Sequence, residues 1–402
     1  MDHPIPKLMD QDIRSHSLDT DLFQNRPLHA QLDFNELCDR FREAVETEML
    51  HCPSELKRQD LQGVLEYLAI RELHDSEGRD LGFDKSSFSR TELRVAAKLW
   101  PTRTVKYLLY RYRFNHYPRH HKLTEYPLLL AIEPTSVCNI RCTMCFQVDE
   151  DLSKDRELMG FMKYDLFRRV IDESAENDLC AVVLASRGEP LLHKDIFRMI
   201  RYAKDSGILD VKLNTNVTRL TPERSRALLD SAPDTLVFSV DAAVKEDFER
   251  IRVGAKFDKI VENIESFNEI RRKEFSHSST RTRISMVLID DGQDVEAAVQ
   301  FWKEMVDEFA YRWAIPRVHI YRQGNNIAER PCSLLWERLY IWWDGIVNPC
   351  DEDYLSKLSP GRIDTNTTIK QIWQSEQMQE YRRQHLLGAK NQLHPCDKCP
   401  GF

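Results

Sequence analysis

Between residues 126 and 321 the sequence alternates short apolar runs with longer amphipathic stretches, and this rhythm restricts the fold more than any other feature. Residues 128–132 form an apolar run that ends before Pro134 and reads as a first strand. Residues 164–176 then place Leu166, Phe167, Val170 and Ile171 on one helical face. Residues 181–185, 211–213, 236–240, 284–288 and 318–321 read as strands two to six. Helices are predicted between them: 195–206 stopped at Gly207, a stretch from Thr221-Pro222 to Leu229, the face made by Phe257, Ile260, Val261, Ile264, Phe267 and Ile270, and 295–309. Strands joined by helical crossovers pair in parallel. Six such units predict an α/β fold, a partial (β/α)6 barrel of the TIM type, with its ligand site at the carboxyl ends of the strands.

The flanks differ from this core. Residues 1–125 read as a helical extension whose first thirty residues are polar and irregular. Asp33 is placed to cap a helix carrying Phe34, Leu37, Phe41 and Val45, and Leu61, Val64, Leu65 and Leu68 repeat the spacing. Residues 76–87 read as a loop, and Thr91 as the cap of a helix stopped by Pro101. Arg103, Lys106, Arg111, Arg113, Arg119 and Lys122 alternate with Tyr107, Tyr110, Tyr112, Phe114 and Tyr117. Phosphate or anionic lipid is one use of such a stretch; a solvated basic face with its aromatics turned to the core is the reading preferred. Residues 322–402 read as a small cysteine-anchored domain, with a hairpin turning at Asp344-Gly345 and a helix over 369–383.

Composition excludes several classes. No apolar stretch approaches the roughly 20 residues that span a bilayer. The start, Met1-Asp2-His3-Pro4, lacks the basic and apolar regions of a secretory leader. A cytoplasmic location follows as the expectation. A net charge of −8 argues against broad nucleic-acid binding. Ten cysteines without an export signal point to metal or redox use and not to a disulfide framework.

Seven of those cysteines fall into two sets. Cys138, Cys142 and Cys145 lie just beyond the first strand. Three thiolates hold three irons of a cubane cluster and leave the fourth iron open to a small molecule. Zinc usually needs a fourth local ligand, and disulfides would leave one thiol over. Cys332, Cys350, Cys396 and Cys399 form the second set, enough to close a cluster or a zinc site.

The C-x3-C-x2-C spacing after a first strand resembles the radical SAM superfamily, and the Gly345-x4-Cys350 hairpin with the closing Cys396-x2-Cys399 resembles the SPASM and twitch auxiliary-cluster domains. The resemblance implies S-adenosylmethionine and a 4Fe–4S cluster on Cys138, Cys142 and Cys145. It implies a second, auxiliary 4Fe–4S cluster on Cys332, Cys350, Cys396 and Cys399. Ser186-Arg187-Gly188-Glu189-Pro190 is similar to the family's Gly-Gly-Glu motif, with Arg187 in place of the first glycine. Its carboxylate, here Glu189, faces the ammonium group of the cofactor. The family's strand-end contacts carry over to Asn214, Asn216 and Ser239, with Arg252 nearby and Phe146 beside the third cysteine. Met144 stands where relatives often have an aromatic.

The implied activity is reductive cleavage of S-adenosylmethionine and hydrogen-atom abstraction, with a reductant such as flavodoxin or ferredoxin. The cysteine motifs do not name the substrate. The aromatic-basic lead-in to the first strand, with no evident peptide-binding module before it, favours a small polar, sugar-like one that undergoes dehydrogenation or epimerisation. A maturase acting on a peptide side chain is the alternative within the class, and a non-catalytic metal-binding scaffold the alternative outside it. Cys180 is readable as a hydrogen-atom donor or a buried small hydrophobe, and Asp351 and Asp353 as a general base or solvated carboxylates.

Overall fold

The computed structural model of the chain describes residues 33–70, 87–314, 320–322 and 330–399, with the backbone alone of 15–19. Its strands are β1 (Ser15–Asp19), β2 (Leu129–Ile132), β3 (Arg141–Cys142), β4 (Ala181–Leu184), β5 (Asp210–Thr215), β6 (Thr235–Ser239), β7 (Arg252–Val253), β8 (Arg281–Leu288), β9 (Glu308–Trp313), β10 (Arg338–Ile341), β11 (Ile346–Asn348) and β12 (Gly361–Arg362). Strands β2, β4, β5, β6, β8 and β9 are parallel neighbours in that order, the arrangement of a partial barrel. Alternate residues separate the two faces. Val211 and Leu213, Leu236 and Phe238, and Ile284 and Met286 enter one core with the crossover helices, while Asn214, Ser239 and Val287 face a cavity. Thr221 caps the helix Pro222–Ser231 as its sequence requires, accepting from the Arg224 N–H.

Among the described residues the sixth parallel strand is β9. The helix after β8 closes at Trp302. Trp302, Val306 and Phe309 are buried and mimic helical spacing, but the buried Asp307 redirects the chain. Its carboxylate accepts from the Thr282 N–H and from Arg271, both at 2.8 Å, which draws the segment onto the start of β8. Val318 lies outside the described residues, and Ile320 and Tyr321 sit in a turn.

The extension contributes the helices Phe34–His51, Glu55–Ala69, Arg90–Lys98 and Thr104–His116. Asp33 caps the first of them; Ser89, not Thr91, caps the third, in a reciprocal capping box with Glu92. The early segment is not wholly irregular, since β1 pairs antiparallel with β9. Tyr107, Tyr110, Tyr112, Phe114 and Tyr117 are buried as expected. Arg111 departs from the solvated-face reading: it is 6% exposed and paired with the buried Glu92 at 2.5 Å. These helices pack on Leu129, Ala131, Ala181, Tyr340 and Trp342. Lys106 pairs with Asp178 at 2.8 Å and Lys98 donates to Ser279 O at 3.2 Å, so the module lies against loops that lead into the amino ends of β4 and β8.

The C-terminal segment continues the same sheet. β10 pairs in parallel with β2 on the side opposite β4, and β11 and β12 follow antiparallel. The hairpin turns where expected, with the Gly345 N–H donating to Trp342 O at 2.9 Å and Gly345 at φ +92°. The helix expected over 369–383 is two, Ile369–Trp373 and Glu376–Leu386, because Ser375 caps the second through the Met378 N–H.

Candidate active site

A cavity of about 220 Å³ opens at the carboxyl ends of the parallel strands. Cys138, Cys142, Cys145, Phe146, Gly188, Glu189, Asn214, Asn216, Ser239 and Arg252 all line it, so the fold gathers every residue expected at this end from five separate segments. Each sulfur lies within reach of an N–H donor. Asn216 Nδ2 lies 3.8 Å from Cys138, Arg252 Nη1 3.6 Å from Cys142, and the Gln147 N–H 3.5 Å from Cys145. The short β3–β7 ladder sets Cys142 opposite Arg252 and so fixes the second of these contacts. Burial pushes the Cys138 thiol up and the Cys142 thiol to about 12.

Glu189 is 2% exposed. Its carboxylate accepts from the Leu191 N–H at 3.0 Å, Thr215 Oγ1 at 2.6 Å and the Asn216 N–H at 2.7 Å. Burial raises its pKa, and the three donors act against that rise. Gly188 is required here: a Cβ would meet Thr135 O at 2.2 Å and Val137 O at 2.6 Å. Arg187 keeps its backbone at the cavity while its side chain turns away to Glu133, at 2.7 Å.

Asp241, just beyond β6, stands behind the cavity wall and supports it. It is buried, pairs with Arg252 at 2.7 Å and accepts from the Val287 N–H at 2.9 Å, so it fixes the arginine beside Cys142. Val287, Arg312 and Ala314, to which the sequence assigned no role, extend the wall along β8 and β9. The alternation of β9 was the available signal for Arg312, hidden by the misplaced sixth strand. Ser186 Oγ and Asn214 Oδ1 are buried and find no hydrogen-bond partner among the described residues. Three clustered thiols without a fourth, and polar atoms left unpaired in the same wall, suit a cluster with one open iron and a polar ligand on it.

The second set also converges. Burial pushes Cys332 to about 11 and raises Cys350 and Cys396 further, with the neighbouring thiols adding to the rise. His385 Nδ1 accepts from the Cys332 N–H at 3.1 Å, and the buried Lys390 donates to Arg330 O at 2.8 Å. Among the described residues no three His, Cys, Asp or Glu side chains are disposed to hold a single metal ion. An all-sulfur donor set of four suits a fully ligated cluster.

Asp353 is neither solvated nor open to substrate. It is fully buried, accepts from Tyr321 at 2.8 Å and from the Lys357 and Leu358 N–H groups, and is pushed by burial to about 6. Cys180 is 5% exposed and belongs to the core beneath the N-terminal helices, away from the cavity wall.

Residues 132–301 match the model of the radical SAM superfamily, and residues 332–400 match the SPASM iron–sulfur cluster-binding domain. The chain belongs to the radical SAM superfamily. Its C-terminal part is a SPASM domain, and the two together bring S-adenosylmethionine and 4Fe–4S clusters as cofactors of an enzyme. This radical SAM protein is 25% identical over 318 residues to the tungsten-containing aldehyde ferredoxin oxidoreductase cofactor-modifying protein of Pyrococcus furiosus, covering 67% of this chain and 86% of that one. It is 34% identical over 144 residues to the AdoMet-dependent heme synthase of Methanosarcina barkeri, but there the match spans only 36% of this chain and 40% of the other. Streptococcus suis SuiB bound to its precursor peptide SuiA superposes with a TM-score of 0.51 at 15% identity, over 79% of this chain and 82% of that chain. This likeness is one of fold.

Proposed function

We propose that the protein is a radical SAM oxidoreductase that takes a hydrogen atom from a small polar substrate, with dehydrogenation or epimerisation at a carbinol carbon as the outcome. The observation that carries the reading is the meeting of Cys138, Cys142 and Cys145 with Glu189, Asn214, Ser239 and Arg252 in one cavity. In this reading Cys138, Cys142 and Cys145 hold one cluster, and Cys332, Cys350, Cys396 and Cys399 the auxiliary one. When bound, these cofactors supply a 5′-deoxyadenosyl radical at the first site and an electron-transfer centre at the second.

The chain's own groups then divide the work. Arg252 and Asn216 place N–H donors on sulfur and offset its negative charge. Glu189 offers a fixed carboxylate to an ammonium group, and its three donors oppose the rise in pKa that burial causes. Gly188 lets the pocket loop close on the backbone of residues 135–137, which sets Glu189 in place. Asn214 and Ser239 supply polar contacts from adjacent strand ends. Phe146 forms a water-excluding wall, 2% exposed and stacked on Tyr354 at 5.3 Å. Val287, Arg312 and Ala314 remain on the side of β8 and β9 and face the substrate.

Two relatives are named for work on a cofactor and on heme, which supports a small molecule over a peptide side chain as substrate. No helix among the described residues is long and apolar enough to cross a membrane. A reducing compartment and a flavodoxin- or ferredoxin-type electron donor complete the proposal. The test is anaerobic loading with iron and sulfide, then incubation with S-adenosylmethionine, reductant and deuterated candidate substrates. Deuterium in 5′-deoxyadenosine is the expected result. A fully loaded protein that never releases 5′-deoxyadenosine refutes the reading.

A further inference from the structure

We propose that Arg187 is a positioning residue that couples the S-adenosylmethionine pocket to the four-cysteine domain, so that occupancy of one is felt at the other. The proposal rests on the reading of the cavity as the S-adenosylmethionine site. Arg187 stands in the loop whose next two residues, Gly188 and Glu189, line that cavity. Its own side chain is 1% exposed and leaves in the other direction. Nε and Nη2 donate to the two oxygens of Glu133, each at 2.7 Å, and Nη1 donates to Tyr354 O at 3.0 Å. The flat face of the guanidinium lies 4.4 Å from the ring of Trp342. Glu133 also accepts from the Trp343 N–H at 3.3 Å.

Trp342, Trp343 and Tyr354 bracket Cys350 in sequence. From them the path returns to the other cysteine loop. Tyr354 donates to Asp149 at 2.6 Å, and Gln147 Nε2 donates to Arg187 O at 2.5 Å and to Ser136 O at 2.7 Å. One buried guanidinium thus closes a ring that includes the pocket loop, the end of β2, the loop after Cys145 and the segment after Cys350. A glycine at this place makes none of those side-chain contacts. A buried bidentate pair tolerates few alternative geometries, so a shift of the pocket backbone moves Tyr354. Coupling of this kind is reciprocal between the two sites.

The test is amide hydrogen exchange on the iron-loaded protein with and without excess S-adenosylmethionine, in the native chain, in E133Q/R187M and in R187K. In the native chain the ligand slows exchange at Asn216 and, at least threefold, at Leu355, Lys357 and Leu358, whose N–H groups are hydrogen-bonded to Tyr321 and Asp353. In E133Q/R187M the effect at Asn216 persists and the effect at 355–358 disappears. R187K keeps a charge beside Glu133 but lacks the fork that also reaches Tyr354 O, so it loses the distant effect as well and decides the matter if the double variant does not fold. Equal slowing at 355–358 in the native chain and the variants overturns the proposal, as does its absence in the native chain. No slowing at Asn216 in the native chain overturns the cavity reading itself.

Discussion

Replacing Gly188 by alanine tests whether the pocket loop must sit where it does. The new Cβ would lie 2.2 Å from Thr135 O, 2.6 Å from Val137 O and 2.8 Å from Ser136 C, all of them backbone atoms. Ordinary contact needs roughly 3.5 Å, so one of the two loops must slide by about 1 Å. The slide breaks the 2.9 Å bond from the Glu189 N–H to Val137 O. It also pulls the Glu189 carboxylate from Thr215 and from the Asn216 N–H, now at 2.6 and 2.7 Å. Three hydrogen bonds at about 1 kcal/mol each give about 3 kcal/mol. At 1.4 kcal/mol per factor of ten, that is roughly a hundredfold. The assay is equilibrium dialysis of labelled S-adenosylmethionine against the iron-loaded variant. Gly207→Ala is the control: its φ of +90° also strains an alanine, but nothing lies within 4 Å, so it costs about 1 kcal/mol of stability and leaves binding intact. Binding by Gly188→Ala within threefold of the native protein refutes the argument.

Further consequences follow from the same geometry. Cys138→Ala is expected to release no 5′-deoxyadenosine and to lose about four of the roughly eight irons that two cubanes carry, read by iron analysis. Cys396→Ala is expected to lose a similar amount from the other site while the first retains its absorbance and paramagnetic signal. Arg111→Met leaves Glu92 buried without its guanidinium and costs about 3–5 kcal/mol in urea unfolding; adding Glu92→Gln restores most of it, and a single variant as stable as the native chain contradicts the assignment. His193 accepts from the Asp195 N–H at Nδ1, contacts Met162 O through Nε2 and is held below 6.5 by burial. The unfolded chain therefore takes up the proton first. Stability is full above pH 6.5 and falls as the pH drops toward the folded pKa, by up to about 1.4 kcal/mol per pH unit. Denaturation curves of His193→Gln should show a flatter pH dependence over this range.

The cysteine spacings and Gly188-Glu189 were legible because their chemistry is local: a loop of thiols, or a backbone approach, is written in adjacent residues. Five of the six barrel strands were legible because their outward faces are continuous with the helical core. The sixth was not. Its inward positions, Glu308 and Arg312, are polar, and the turn that frees it depends on Asp307 meeting Thr282 across the sheet. Arg187 was read only as a missing glycine, since its partners Glu133, Trp342 and Tyr354 lie far along the chain. Asp353 was misread for the same reason, because burial by Tyr321 and a tight turn leaves no mark on the residues beside it.

The parallel pairing of β10 with β2 makes the SPASM segment part of the sheet and not an appendage. All four residues of β2 are buried. A chain cut before residue 330 would bare one side of that strand and present its unpaired N–H and C=O groups, with leucine and isoleucine flanks, to any other molecule in the same state. Fragments carrying only the three-cysteine half will therefore self-associate and precipitate, and any preparation meant to isolate radical initiation must inactivate the second site by point substitution and keep its polypeptide.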